Sequence, residues 1–293
     1  MQELPAVEVI GYQASDFVRA NLQVYKADDP TAAVVICLPA MGVRGSFYAD
    51  FAQHLRKAGF HVAVADLRGI DSSSVRASRA CDFGYAEILE RDLPALTACI
   101  RRRFPAGSQY FLGHSLGGQL WALYLSANPV AAEGLILIAS CNVHYRGWHW
   151  STRWYVLGMA LAMRSLGFVL GYVPGDKLGF AGTEARTVVR DWSHNCMTGR
   201  YEVANSPIDY ETALQRLARP ILAISFETDI YAPPNSVDNL LRKFRSSRVE
   251  SRRFAKDHAG MEKVTHFNWA KKPQVVVDTI SEWISARQSL PER

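Results

Sequence analysis

Gly113-His114-Ser115-Leu116-Gly117-Gly118 is the stretch whose reading decides this fold. The short apolar run Tyr110 to Leu112 precedes it, and Gln119-Leu120-Trp121-Ala122-Leu123-Tyr124-Leu125, with helical character, follows. Strand, tight turn and helix are the context in which Gly-x-Ser-x-Gly presents an exposed serine, a nucleophile elbow. The requirement is steric: the serine takes strained backbone angles, and glycine at the flanking positions lets strand and helix approach closely. By composition alone, a random chain of this length carries such a match roughly one time in ten. The surroundings must therefore support the reading, which makes Ser115 the candidate nucleophile.

Working outward, Ala33 to Leu38, Phe60 to Ala65, Gly134 to Ala139 and Pro220 to Phe226 are continuous apolar runs, separated by helical patterns. Continuous runs of this kind predict a mostly parallel sheet covered by helices on both faces, an α/β fold. The helix from Phe47 to Ala58 stops at Gly59, as a C-terminal glycine predicts. Tyr85 to Phe104 reads as a helix containing Pro94, so a kink or a late start is expected there. The opening residues alternate, Val7, Val9 and Tyr12, then Phe17 to Tyr25, which predicts two antiparallel strands. Helices near Ser236 to Phe244 and over Gln274 to Arg287, with a last strand at Ser251 to Phe254, complete the pattern.

Regularity fails between the fourth and fifth buried runs. Residues 143–218 hold four of the seven tryptophans, Trp148, Trp150, Trp154 and Trp192, with Tyr145, Tyr155, Tyr172 and Tyr201. We read 1–142 with 219–293 as the core, and 143–218 as a helical cap inserted over a site; a packing or homodimer surface is the alternative. Trp148, Trp150 and Trp154 are the candidate substrate contacts. The apolar run Trp154 to Val173 contains Arg164, Ser165 and three glycines, so it predicts buried lid helices and no membrane span.

Composition excludes several classes. The chain has 293 residues, 48% of them hydrophobic, and a net charge of +5. The basic runs Arg101-Arg102-Arg103 and Arg242 to Arg253 carry no nucleic-acid motif and read as solvated faces. Five cysteines, an odd number without C-x-x-C spacing, argue against a disulfide framework or a zinc site. No phosphate-binding loop, dinucleotide fingerprint or His-Glu-x-x-His appears, so no cofactor or metal is expected. The opening Met-Gln-Glu-Leu-Pro lacks a basic start and an apolar core, and a cytoplasmic location is the expectation.

A serine hydroxyl needs a base, and the base needs an acid that fixes its tautomer. Asp229 lies a few residues past the run ending at Phe226, at the sheet's carboxyl edge where the elbow also lies; Glu227 is the weaker choice. The elbow, Asp66-Leu67-Arg68-Gly69, the Asp229 to Pro233 loop and the order of elements resemble the α/β-hydrolase family across nearly the whole chain. Gly171 to Phe180 and Arg190-Asp191-Trp192 through Thr198-Gly199-Arg200-Tyr201 resemble the cap of a group of bacterial predicted α/β-hydrolases without a settled substrate.

The resemblance implies a serine hydrolase acting on a small-molecule carboxylic ester or thioester through an acyl-enzyme. Acyl transfer or cyclisation on the same acyl-enzyme is a rival, as is a binding protein that keeps only the fold. His266 falls where the family's histidine usually does, with His258 as the alternative; His114 is read as supporting the turn. The backbone N–H groups of Leu116 and Met41, with Gly42 close behind, are the expected oxyanion donors. Two departures stand out: Pro39-Ala40 replaces the common His-Gly, and Asp71 occupies a position where relatives often carry glycine.

Overall fold

The computed structural model describes residues 7–179, 181–258, 260 and 264–288. Phe180, and the opening residues whose composition bears on a signal, lie outside them. Eight strands form one sheet in the order β1-β2-β4-β3-β5-β6-β9-β10. The antiparallel pair β1 (Glu8–Gln13) and β2 (Arg19–Tyr25) caps one side, pairing with β4 (His61–Ala65). The other strands, β3 (Val34–Leu38), β5 (Gln109–His114), β6 (Gly134–Ile138), β9 (Ile221–Phe226) and β10 (Val249–Phe254), run parallel, as does β4 on β3.

Every residue of β3, β4, β5, β6 and β9 is buried, because helices cover both faces of the sheet. β10, by contrast, exposes Ser251, Arg252 and Arg253, charge at an open edge that discourages pairing with another chain. The register aligns Leu38 with Gly113, His114 with Ile138, and Ile138 with Ile224. The loops that follow these strands therefore leave from one edge.

The core helices are α1 (Ala49–Lys57), α2 (Tyr85–Glu87), α3 (Leu93–Arg103) and α4 (Leu116–Ala127). The expected irregularity at Pro94 is a single wide turn, Ile88–Asp92, between α2 and α3. A turn of this width accommodates a residue that lacks an N–H and crowds the preceding carbonyl. It also directs Asp92 inward, where the Arg68 guanidinium donates to both carboxylate oxygens at 2.8 and 2.6 Å and to Asp16 at 2.8 Å. Asp71, at the position of the second departure, has φ +37°. The backbone keeps a left-handed turn that glycine adopts at lower cost.

Between β6 and β9 the chain forms α5 (Arg153–Leu170), β7 (Tyr172–Pro174), α6 (Gly175–Leu178), β8 (Thr183–Ala185), α7 (Arg186–Thr198) and α8 (Tyr210–Arg216). The β7–β8 hairpin was not expected in a segment read as helical. Polar clamps dock this insert on the core. Asp82 accepts from the Thr187 N–H and hydroxyl at 3.0 and 2.8 Å, and Asp191 accepts from the amides of Tyr85 and Ala204, both at 3.0 Å.

The expectation of a buried helix after Trp154 fails in part. Only Val156, Ala160, Met163 and Gly167 of α5 are buried, because the helix packs along one side and leaves the opposite face uncovered. Among the described residues no helix is long and apolar enough to cross a membrane. α9 (Pro234–Leu241) and α10 (Gln274–Gln288) close the core.

Candidate active site

The elbow forms as its glycines require. Ser115 sits at φ +53°, ψ −116° between β5 and α4, and its amide donates to the Ile138 carbonyl at 3.0 Å. A Cβ on Gly113 would lie 2.2 Å from the Gly118 nitrogen, and one on Gly117 would lie 2.4 Å from the Leu38 carbonyl oxygen. Strand, turn and neighbouring loop are in backbone contact, with no room for a side chain.

Asp229 leaves the end of β9, where its amide bonds back to the Phe226 carbonyl at 3.1 Å. One carboxylate oxygen accepts from the Tyr231 and Ala232 amides at 2.9 and 3.0 Å, and the other lies 2.8 Å from Nδ1 of His266. Both side chains are buried, and Ser115, Asp229 and His266 line one cavity. His258 is exposed, lies tilted against Phe254 with ring centroids 5.0 Å apart, and is not brought to Asp229. Glu227 reaches the cavity wall but accepts from the Lys256 amide at 3.3 Å.

His114 is fully buried, and burial holds its imidazole well below the usual histidine range, so it stays neutral. Its Nδ1 is 2.7 Å from the Tyr48 hydroxyl, which accepts the Ala40 N–H at 3.0 Å. With that amide donating, the phenol proton is left for His114. The His114 ring also packs against His266 at 4.8 Å and Trp269 at 5.4 Å. Tyr48 thus joins the loop after β3, the elbow and the His266 loop, a role sequence reading missed. A tyrosine preceding a helix carries no pattern that announces it.

Met41 and Leu116 both line the cavity beside Ser115. Among the described residues neither amide donates to a protein acceptor, whereas the Ala40 amide is already engaged. Gly42, at φ +70°, abuts the insert: a Cβ there would lie 2.0 Å from the Gly182 nitrogen.

The cavity has a volume of about 1300 Å³. The insert supplies most of its apolar wall, including Trp148, Met159, Met163, Leu166 and Trp192. Trp148 also donates from its indole N–H to the Ile230 carbonyl at 3.1 Å. Trp150 and Trp154 do not line it; both are exposed, and Trp154 packs on Tyr145 at 5.7 Å. Composition could not tell inward from outward aromatics. Among the described residues no cluster of three or more His, Cys, Asp or Glu side chains is arranged to hold a metal ion.

The family described as serine aminopeptidase, S33, matches residues 29–194, more than half of the chain. The chain belongs to that family. It is therefore a hydrolase of the α/β-hydrolase fold. The S33 match includes Met41, Ser115 and Leu116 and stops before Asp229 and His266. No curated protein sequence matches this S33 hydrolase.

Among solved structures, DcsB in complex with a substrate analogue superposes with TM-score 0.67 at 15% identity, covering 97% of this chain and 100% of its own. Est1E from Butyrivibrio proteoclasticus with bound ferulic acid gives 0.66 at 12%, covering 95% and 99%. A thioesterase domain from the curacin biosynthetic pathway gives 0.57 at 13%, covering 94% and 99%. At these identities the likeness is one of fold.

Proposed function

We propose that this S33-family chain hydrolyses carboxylic esters or thioesters with an apolar acyl group, through an acyl-enzyme on Ser115. The observation that carries the reading is the buried 2.8 Å pair between His266 and Asp229, in the same cavity as a serine held at positive φ. With Nδ1 bound to Asp229, Nε2 of His266 is the nitrogen free to act as base. It takes the Ser115 proton as Oγ bonds to the acyl carbon, then gives that proton to the departing alkoxide or thiolate as the C–O or C–S bond breaks. Water repeats the sequence on the acyl-enzyme, releasing the acid and restoring the serine.

The oxyanion is held by the amides of Leu116 and Met41, both without another acceptor among the described residues. Leu116 gains from its position at the start of α4. Residues 143–218 act as a lid whose methionine and leucine side chains solvate an acyl chain. The solved relatives support the chemical class, since one, Est1E, has ferulic acid bound and another is a thioesterase domain. The test is covalent. A fluorophosphonate should add to Ser115, read by mass spectrometry on the digested protein, and wild type should turn over p-nitrophenyl acyl esters. A protein that neither labels at Ser115 nor cleaves such esters is not this enzyme.

A further inference from the structure

α5 is apolar on faces that a soluble protein normally makes polar. Its buried residues Val156, Ala160, Met163 and Gly167 fall at i, i+4, i+7 and i+11, one inward stripe. On the solvent side, Trp154, Leu161 and Phe168 repeat every seven residues along one flank and are 58%, 44% and 81% exposed, with Val169 exposed next to them and Tyr155 exposed on the other flank. Gly158 and Ser165 fill the intervals, so no charge interrupts this outer face. At 18 residues the helix is about 27 Å long. Isolated exposed apolar side chains are ordinary, but an aligned row of this length marks a contact surface.

The charge around the row identifies what lies on it. From Glu133 to Asp176 the sequence has no acidic residue between those two and carries Arg146, Arg153 and Arg164. Arg164 lines a cleft with Asp191 and Glu202 and its Nη1 is buried, which leaves Arg146 and Arg153 as the basic groups beside the row. Arg153 stacks over the Trp154 ring at 5.2 Å, at the border of the apolar face. A basic rim beside exposed Trp, Phe and Leu suits a helix lying in the plane of an anionic lipid surface. A second copy of the chain docked through this helix would instead bring arginines together, with no acid on either α5 to neutralise them.

The exposed arc of α5 reaches the cavity at its edge, through Tyr155 and Ala162, about 100° round the helix from the Trp154 row. Tyr155 and Leu178 of the insert, with Ile230 and Tyr231 of the loop after β9, are exposed and also line the cavity. A protein seated there would close the mouth, whereas a lipid surface would feed it.

We propose that the outer face of α5 docks this protein on anionic lipid surfaces, so that a membrane-borne acyl ester enters the cavity toward Ser115 without crossing bulk water. The entry of an ester rests on the reading under Proposed function; the docking does not, and it is measured without turnover. The full chain is sedimented with vesicles of phosphatidylcholine, alone or with roughly one-third phosphatidylglycerol. Wild type should co-sediment with the mixed vesicles and weakly with the zwitterionic ones.

The double variant Leu161→Glu, Phe168→Glu changes exposed residues outside the cavity lining. It should lower the ratio of bound to free protein on mixed vesicles by about tenfold or more. Its circular dichroism and its rate on a soluble short-chain ester should match wild type. Equal binding by wild type and variant, or no binding by wild type to either vesicle, overturns the proposal. A wild-type dimer in light scattering that the variant dissociates also overturns it, by assigning the face to a second copy. If neither protein cleaves the soluble ester while the vesicle results hold, the hydrolase reading falls and the docking stands.

Discussion

At the carboxyl edge of the sheet, the carboxylate and the hydroxyl that hold the site are engaged on every side: Asp229 receives two amides and His266, and the Tyr48 hydroxyl is held by the Ala40 amide and His114. The insert above them is made differently. α5 leaves an apolar row in solvent, and Glu184 on β8 is buried with one carboxylate oxygen unpartnered. The edge fixes the positions of groups that would exchange protons, and the insert supplies volume, greasy surface and slack. Precision at one layer tolerates looseness at the other because the insert needs only to surround a chain, not to aim a bond.

The sharpest way to break this contrast is Ser115→Ala, which should lower ester hydrolysis by about 10⁴-fold or more while the melting temperature holds. Near-wild-type turnover would remove the edge from the chemistry. Next in size, Arg68→Met strands the buried Asp92 carboxylate without its guanidinium partner. Urea unfolding should show a loss of about 3–5 kcal/mol.

In the insert, burial pushes Glu184 up to about 7 from 4.5. The unfolded chain ionises first, so the folded state loses relative stability as pH climbs through that interval and levels off above it. Glu184→Gln should remove this slope and raise stability at pH 8, by at most about 3 kcal/mol. A melting-temperature profile from pH 5 to 8 measures it, and parallel profiles for the two proteins would refute it.

The smallest effect expected is at Tyr48. Replacing it with phenylalanine leaves the Ala40 amide and His114 Nδ1 without their shared partner, and kcat should fall about tenfold with KM nearly unchanged. A change in KM alone would place Tyr48 among binding contacts and blur the division between layers.

The same division governs what was legible in the sequence. The parallel strands showed because burial on both faces leaves uninterrupted apolar runs, and the elbow showed because its glycines have no steric substitute. His266 and His258, eight residues apart, could be ranked only by resemblance; the structure brings His266 to Asp229 and leaves His258 against Phe254. Within the insert, Trp148, Trp150 and Trp154 looked alike, and only Trp148 faces inward. Periodicity fixes which residues share a helix face, but not which face the fold will cover. The β7–β8 hairpin went unseen because three-residue strands are too short to display alternation.

One contact spans both layers. Gly42 and Gly182 meet backbone to backbone, leaving no side chain between them to cushion a displacement. On the proposed reading, a bulky acyl group that lifted the hairpin loop would tug on the residue next to Met41, and the catalytic edge would respond to the size of its cargo. Chain-length preference in this enzyme would then surface as a change in turnover and not only in how tightly a molecule is held.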